Sequence, residues 1–254
     1  MFLETIVAAA DRRAAAWMAE FPTIRSRAEE APPPRALREA LLEATPPVGV
    51  IAECKHRSPS KGWLTSTYDP VAQARRYEAE GASAISVLTE PEFFAGAMEH
   101  LRAVRDGVSC PVLCKDFVRR PVQVWQARSH GADAVLLIVR ILDDPALFAD
   151  LYALVADLGM QALVEVHSAV ELERALRVDP GLVGINNRDL DTFATRLEFS
   201  REMATHIPPT VTAISESGIQ SAAEVHWLRS LGYRGVLVGE SLMRGGHLLE
   251  ELRA

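Results

Sequence analysis

The sequence predicts an α/β fold, a (β/α)8 barrel carrying an N-terminal helical extension, and three observations predict it. Eight short apolar runs alternate with eight helix-like segments from Gly49 to Leu252. Glycines stand ahead of many of the runs, at Gly81, Gly131, Gly159, Gly181 and Gly232, as expected where a helix ends and the chain turns into the next strand. The length, 254 residues, suits the roughly 250 of a single TIM barrel. A doubly wound open sheet usually has fewer strands, and no G-x-G-x-x-G or G-x-x-x-x-G-K follows the first run. No linker or low-complexity stretch divides the chain. It reads as one barrel domain over 1–254, with residues 1–47 as the helical extension.

The elements follow in order. Residues 2–20 place Leu3, Ile6, Val7, Ala10, Ala14, Trp17 and Met18 on one helical face. A polar, acidic piece then runs to Ala31-Pro32-Pro33-Pro34, which cannot be helix interior. Residues 35–44 predict another short helix. The apolar face of this extension must cover something, either as a lid over the barrel mouth or as a plug beneath it. Pro46 and Pro47 introduce a first strand over 49–55, and Asp69 caps a helix over 70–80. Further strands are expected at 84–88, 112–115, 134–139, 161–166, 183–186, 212–215 and 235–238. Helices are expected at 98–105, 121–130, 145–158, 169–177, within 197–206, at 221–230 and at 241–252. The run Val48 to Ala52 is continuously apolar, as suits a strand covered on both faces.

Apolar residues make up 48% of the chain, enough for a large core. The formal charge of −7 favours neither nucleic acid nor an anionic membrane as a partner, so basic groups serving an anionic ligand must be placed locally. Cys54, Cys110 and Cys114 have no disulfide spacing, which points to a reducing cytoplasm. No nearby histidine completes a zinc site with Cys110 and Cys114. No run is long enough to span a membrane, and Glu4 and Asp11 do not suit an export signal. No surface stripe stands out, so a monomer is expected.

Barrels of this kind place their chemistry at the carboxyl ends of the strands. Those ends carry Glu53 and Lys55, then Lys115, Glu165, Asn186, and Glu216 with Ser217. Strand side chains alternate, so Glu53 and Lys55 share a side while Cys54 faces away. By the same rule Leu113 and Lys115, Leu163 and Glu165, and Gly184 and Asn186 share sides. Two ammonium groups, several carboxylates and an amide would therefore converge on one mouth. A salt-bridge network filling the barrel top is the plainer alternative, but buried ion pairs stabilise poorly. Ser217 and Gly218 after the seventh strand, and Gly239 and Glu240 after the eighth, suit a phosphate cradle built from main-chain N–H groups. There the Glu240 side chain is expected to turn away from a dianion. Phe93, Phe94, Phe117, Leu137 and Leu190 lie near the same mouth, and exposed Phe94 and Phe117 suit a ring-shaped ligand. The histidines outside the first loop are scattered, and most are expected at the surface.

These residues carry a resemblance. I-A-E-C-K-x-x-S-P-S-K-G at 51–62, S-V-L-T-E at 86–90 and P-V-L-C-K-D-F at 111–117 come first. L-V-E-V-H at 163–167, G-I-N-N-R-D-L at 184–190, S-E-S-G-I at 215–219 and V-G-E-S-L-M at 238–243 follow in order. The chain resembles the indole-3-glycerol-phosphate synthases of tryptophan biosynthesis over nearly its whole length. The resemblance implies a carboxy-lyase acting on 1-(o-carboxyphenylamino)-1-deoxyribulose 5-phosphate. Such an enzyme closes a pyrrole ring with loss of carbon dioxide and water, without metal or cofactor. It implies Lys115 as general acid, tuned by surrounding cations and apolar groups, and Glu165 as base or, protonated, as acid. Lys55 would bind the substrate carboxylate or phosphate, and Glu53 would hold the lysines and a substrate hydroxyl. Asn186 and Ser217 would bind hydroxyl and carbonyl groups, with Glu216 orienting them. Arg188 would fix its loop or bind an anion, and Ser58 would meet the anthranilate carboxylate or the phosphate. Phe94, Phe117 and Leu190 would contact the ring. His56 and Arg57 depart from the family's usual pair, which retunes carboxylate binding or alters loop mobility. Two alternatives stand beside this reading. One is a phosphate-binding barrel isomerase, which would need a cysteine or aspartate where the strands here carry glutamate and lysine. The other is a phosphate-metabolite-binding barrel without catalysis.

Overall fold

A computed structural model of the chain describes residues 2–44 and 48–253, so Pro46 and Pro47, expected to introduce the first strand, lie outside the described residues. Eight parallel strands close into a barrel: β1 Gly49–Cys54, β2 Ala84–Leu88, β3 Val112–Lys115, β4 Ala134–Ile138, β5 Gln161–Val166, β6 Leu182–Asn186, β7 Thr212–Glu216 and β8 Gly235–Val238. The closing pair is β1 with β8, in register Gly49 with Gly235 and Ala52 with Val238. Every residue of β1 is buried, as its unbroken apolar run requires. The strands stop a residue short of expectation at Lys55 and Val139, the latter opening a 3₁₀ turn over Val139–Ile141.

Thirteen α-helices are found among the described residues. The first three are α1 Phe2–Trp17, α2 Phe21–Glu30 and α3 Leu37–Leu42. Helix α2 occupies the piece expected to be merely polar and acidic. Its two buried positions, Ile24 and Ala28, are too few to give a visible stripe. They are covered by α7 (Pro121–Ser129), where Phe21 meets Trp125 edge-on at 6.0 Å between centroids. Met18, placed on the buried face by its spacing, is exposed because α1 has ended before it.

The remaining helices before the last strand are α4 Pro70–Ala79, α5 Pro91–Phe94, α6 Met98–Gly107, α8 Pro145–Asp157, α9 Ala169–Ala175, α10 Glu198–Ala204 and α11 Ala222–Ser230. Asp69 caps α4, accepting from the N–H groups of Val71 and Ala72 at 3.0 Å. Four of the five glycines expected ahead of strands have positive φ; Gly181 does not, because Asp179 takes the left-handed position instead. The expected last helix is broken into α12 Glu240–Met243 and α13 Leu248–Arg253, with Gly245 in the left-handed region between them.

The extension serves both ends of the barrel, so the lid and the plug are both present. At the bottom, Leu41 of α3 lies against Gly49 and Gly235, where a β-carbon on either glycine would touch it. At the top, Phe2, Leu3 and Ile6 of α1 reach the mouth. Arg13 pins α1 there through a two-pronged ion pair with Asp116, at 2.7 and 3.2 Å.

Candidate active site

The mouth opens into a cavity of about 940 Å³, toward the upper end of the range usual for small-molecule sites. All fifteen expected site residues line it: Glu53, Lys55, Ser58, Phe94, Lys115, Phe117, Glu165, Asn186, Arg188, Leu190, Glu216, Ser217, Gly218, Gly239 and Glu240. The strand ends supply the charged groups because alternation turns every second side chain inward. Glu53 and Lys55 form an ion pair, while Cys54 faces outward toward the Pro70 carbonyl at 3.9 Å. Lys115 Nζ lies 3.3 Å from Glu165 Oε2.

Burial alone would raise the Glu53 carboxyl, but the Lys55 and Lys115 ammonium groups outweigh it and hold the carboxyl below its ordinary value. Glu165 follows the same logic. Burial would raise it, and Lys115, then His167, then hydrogen bonds from Asn186 and Glu216 bring it below the ordinary value. Glu216 goes the other way: burial and the Glu165 charge push it well above the ordinary carboxylate range. Neither Glu216 oxygen accepts a hydrogen bond from the protein; protonated, the carboxyl has Glu165 to donate to. The two adjacent carboxyls are thereby pushed in opposite directions, an arrangement that can separate acid and base roles in one site.

Lys115 departs from the sequence expectation. Burial would lower its ammonium, but Glu165, Glu216 and Glu53 raise it above its ordinary value. Carboxylates, not cations, dominate its surroundings, so it carries its proton throughout the neutral range.

Local structure fixes the rest. Glu90, fully buried, caps α5 by accepting from the N–H groups of Glu92, Phe93 and Phe94 at 3.0, 2.7 and 3.2 Å. That cap sets Phe94 at the mouth, 6.1 Å between ring centroids from Phe117. Phe117 is buried rather than exposed: its own N–H donates to Asp116 Oδ1 at 2.7 Å, and its ring lies against that of Phe94. Phe93 does not line the cavity; it packs on Phe2 at 5.4 Å. Leu137 does not line it either. Its neighbours Leu136 and Ile138 do, one register step away on the inner face.

The first loop folds into a two-stranded hairpin, Arg57–Ser58 against Gly62–Trp63, which the sequence did not suggest. Ser58 Oγ accepts from the Lys61 N–H at 3.2 Å, so the hydroxyl expected to meet substrate also braces the turn. The His56 ring stacks on Tyr68 at 4.8 Å and tilts against Trp63 at 4.6 Å, while Arg57 sits over Trp63 at 5.4 Å. The unusual pair thus holds the hairpin and takes no part in the cavity lining.

In the loop after β7, Ser217 and Gly218 both have positive φ, at 66° and 84°. Serine rarely adopts that conformation, and such strain clusters at ligand sites. The Glu240 side chain faces three basic groups. Its carboxylate gathers Arg188 at 3.4 Å, Arg244 at 3.5 Å and Lys61 at 3.8 Å. Lys61 and Arg244 also line the cavity, and of the two only Arg244 went unremarked in the sequence. Lys61 stood in the quoted motif, whereas Arg244 gave no signal beyond lying one turn after Glu240. His167 is a further omission: of the histidines expected at the surface, its side chain is only 2% exposed. It belongs to the L-V-E-V-H motif and follows directly on the last residue of β5.

Comparison with known proteins agrees with this geometry. The family model for indole-3-glycerol phosphate synthase matches residues 3–254. A relative from Roseiflexus castenholzii with that description is 48% identical, covering 92% of this chain and 89% of its own. Another from Carboxydothermus hydrogenoformans is 45% identical over the whole of both chains. A third from Exiguobacterium sibiricum is 50% identical, covering 78% and 76%. Among solved structures, an N-acetylmannosamine-6-phosphate 2-epimerase from Clostridium perfringens aligns with a TM-score of 0.65 at 13% identity, covering 83% of this chain and 92% of its own. That likeness concerns the barrel alone. Matched from end to end by the family model and by relatives near half identity, the chain belongs to the indole-3-glycerol phosphate synthase family.

Proposed function

We propose that this chain closes the indole ring of indole-3-glycerol phosphate from 1-(o-carboxyphenylamino)-1-deoxyribulose 5-phosphate, as a carboxy-lyase of tryptophan biosynthesis. The observation that carries the reading is the 3.3 Å contact of Lys115 with Glu165 inside a cavity that also holds the Ser217–Gly218 and Gly239–Glu240 loops. The substrate phosphate sits against those loops, and the aromatic ring sits among Phe94, Phe117 and Leu190. Lys115 donates its proton to the ribulose carbonyl oxygen as the ring carbon attacks the carbonyl carbon. Carbon dioxide leaves with its electron pair returned to the ring. The former carbonyl oxygen then departs as water on taking a second proton from Lys55, while Glu165 accepts the proton of the sugar carbon bonded to the ring nitrogen so that the pyrrole double bond forms. The reaction is redox-neutral, and we assign it no metal or cofactor. Glu53 holds Lys55 and a substrate hydroxyl, and Lys55 binds the substrate carboxylate or phosphate. Asn186 and Ser217 bind hydroxyl and carbonyl groups, Glu216 orients them, Arg188 secures its loop or an anionic group, and Ser58 meets the anthranilate carboxylate or the phosphate. We assign the chain to a single working domain, residues 1–47 included, acting as a cytoplasmic monomer with neither nucleic acid nor membrane as partner.

Incubated with the ribulotide, the chain should generate indole absorbance and fluorescence. Lys115→Ala should keep its circular dichroism and lose about 10²- to 10⁴-fold in kcat. A wild-type chain that binds phosphorylated ligands without turnover belongs to the non-catalytic alternative. Normal turnover by Lys115→Ala removes the acid assignment.

A further inference from the structure

We infer that His167 is a positioning residue for the catalytic base. Its imidazole holds the rear oxygen of Glu165 and ties it, through Glu171 and Arg140, to the loop carrying Arg188. This rests on the assignment of Glu165 as base, and it concerns a side chain outside the cavity lining.

The two oxygens of Glu165 face different partners. Oε2 meets Lys115 at 3.3 Å, and Oε1 meets His167 Nε2 at 3.3 Å. The other ring nitrogen, Nδ1, lies 3.5 Å from Glu171 Oε2. An imidazole ring that is 2% exposed thus stands between two carboxylates, with water kept from both nitrogens. Neither nitrogen makes an aligned hydrogen bond in the resting protein. Contacts of this kind around a catalytic base are commonly long until substrate is bound.

Glu171 is itself held firmly. It opens α9, its N–H bonds the Ser168 hydroxyl at 3.2 Å, and its Oε2 accepts from the His167 main-chain N–H at 2.8 Å. Its Oε1 accepts from Arg140 Nε at 3.0 Å, and Arg140 Nη1 reaches Asp189 Oδ2 at 3.7 Å. Burial would raise the Glu171 carboxyl, yet hydrogen bonds from His167 and Arg140 bring it down to about 2. Glu171 is therefore a fixed anion that orients the imidazole toward Glu165, as a carboxylate orients a histidine in other catalytic settings. The last member, Asp189, adjoins Arg188 on the loop after β6. The base and the substrate loop are thereby joined through one run of side chains.

The groups around this run are few. His167 is faced by Glu165 from β5, by Glu171 from α9 and, through Glu171, by Arg140 from the turn after β4. Glu165 is faced in addition by Lys115 from β3, Glu216 from β7 and Asn186 from β6, with Glu53 of β1 at longer range. Of the groups facing Glu165, His167 is the one that does not line the cavity. Its removal leaves Lys115 in place, so the two influences on the base can be separated.

The test is the pH profile of indole formation by the full chain carrying His167→Phe, His167→Gln or Glu171→Gln. His167→Phe, which fills the space without an N–H, should lower kcat roughly 10- to 100-fold with KM changed less than about threefold. Its acid limb should move to higher pH, since Glu165 loses a group that favours its ionised form. His167→Gln, which restores a donor, should regain most of kcat. Glu171→Gln cuts the far end of the run without emptying the core and should shift the acid limb in the same direction. The inference is overturned if His167→Phe keeps the wild-type kcat and acid limb, or if kcat falls only with the folded fraction. It is equally overturned if His167→Gln is no better than His167→Phe, or if Glu171→Gln leaves the acid limb in place. Glu165→Gln separates the two levels: normal turnover there defeats the base assignment itself, whereas an inactive Glu165→Gln beside a wild-type-like His167→Phe defeats this inference alone.

Discussion

Gly184 and Glu216 share one space: the β-carbon that glycine lacks would overlap the Glu216 carboxyl group. Gly184 sits on β6, paired in register with Glu165 on one side and Ile214 on the other. The missing side chain lets a carboxyl from β7 lie across β6 beside Glu165.

Gly184→Ala should therefore displace Glu216 and disarm the site with the barrel intact. We expect kcat to fall at least about tenfold and stability to drop by about 1–3 kcal/mol, the usual cost of overpacking. Steady-state kinetics and a thermal melt on the same sample check both.

Glu216→Gln should trade activity for stability. The folded carboxyl lies well above its ordinary value of 4.5, so its contribution to stability is complete below that pH. It is lost as pH rises from there through the folded value, because the unfolded chain ionises first. A glutamine has no such loss. The Tm of the variant should match wild type near pH 4 and exceed it increasingly toward neutral pH, by roughly 2–4 °C for each 1 kcal/mol relieved. Turnover should fall in parallel. A Tm gap that stays constant with pH would remove the argument.

Gly218→Ala tests the phosphate end. Its φ of 84° disfavours any β-carbon, and that atom would lie 2.6 Å from the Thr195 methyl group. The Ser217–Gly218 turn must shift, so KM for the ribulotide should rise about tenfold, or roughly 1.4 kcal/mol, with kcat little changed. Inorganic phosphate should lose potency as a competitive inhibitor by a similar factor.

Leu41→Ala should do the reverse of a site variant. Leu41 is 2% exposed and fills the barrel bottom against Gly49 and Gly235. Its truncation should cost about 2–5 kcal/mol of stability, read by urea or thermal denaturation. Well below the shifted Tm, kcat and KM should stay within twofold of wild type.

The first-loop motif and the polar strand ends were legible because a strand has a period of two. Once Glu53, Lys115 and Glu165 end apolar runs, alternation sends them to one side, and barrel closure brings those sides together. What lay near each strand end in space but far along the chain was not legible. Arg13 holds Asp116 across 103 positions, and Arg140 reaches Glu171 across 31. Helix α2 was missed because its stability comes from α7 rather than from its own pattern.

Composition and periodicity alone determined eight strand–helix units, the inward set of charged side chains and the glycine-bearing loops after the last two strands. Only the closed barrel decided which carboxyl is pushed below its ordinary range and which above it. That choice depends on burial and on distances between strands, as where Glu216 crosses Gly184 toward Glu165 and Lys115 counts more carboxylates than cations. A linear sequence states the charges. The free energy of each charge is set by the neighbours and the water that folding leaves around it.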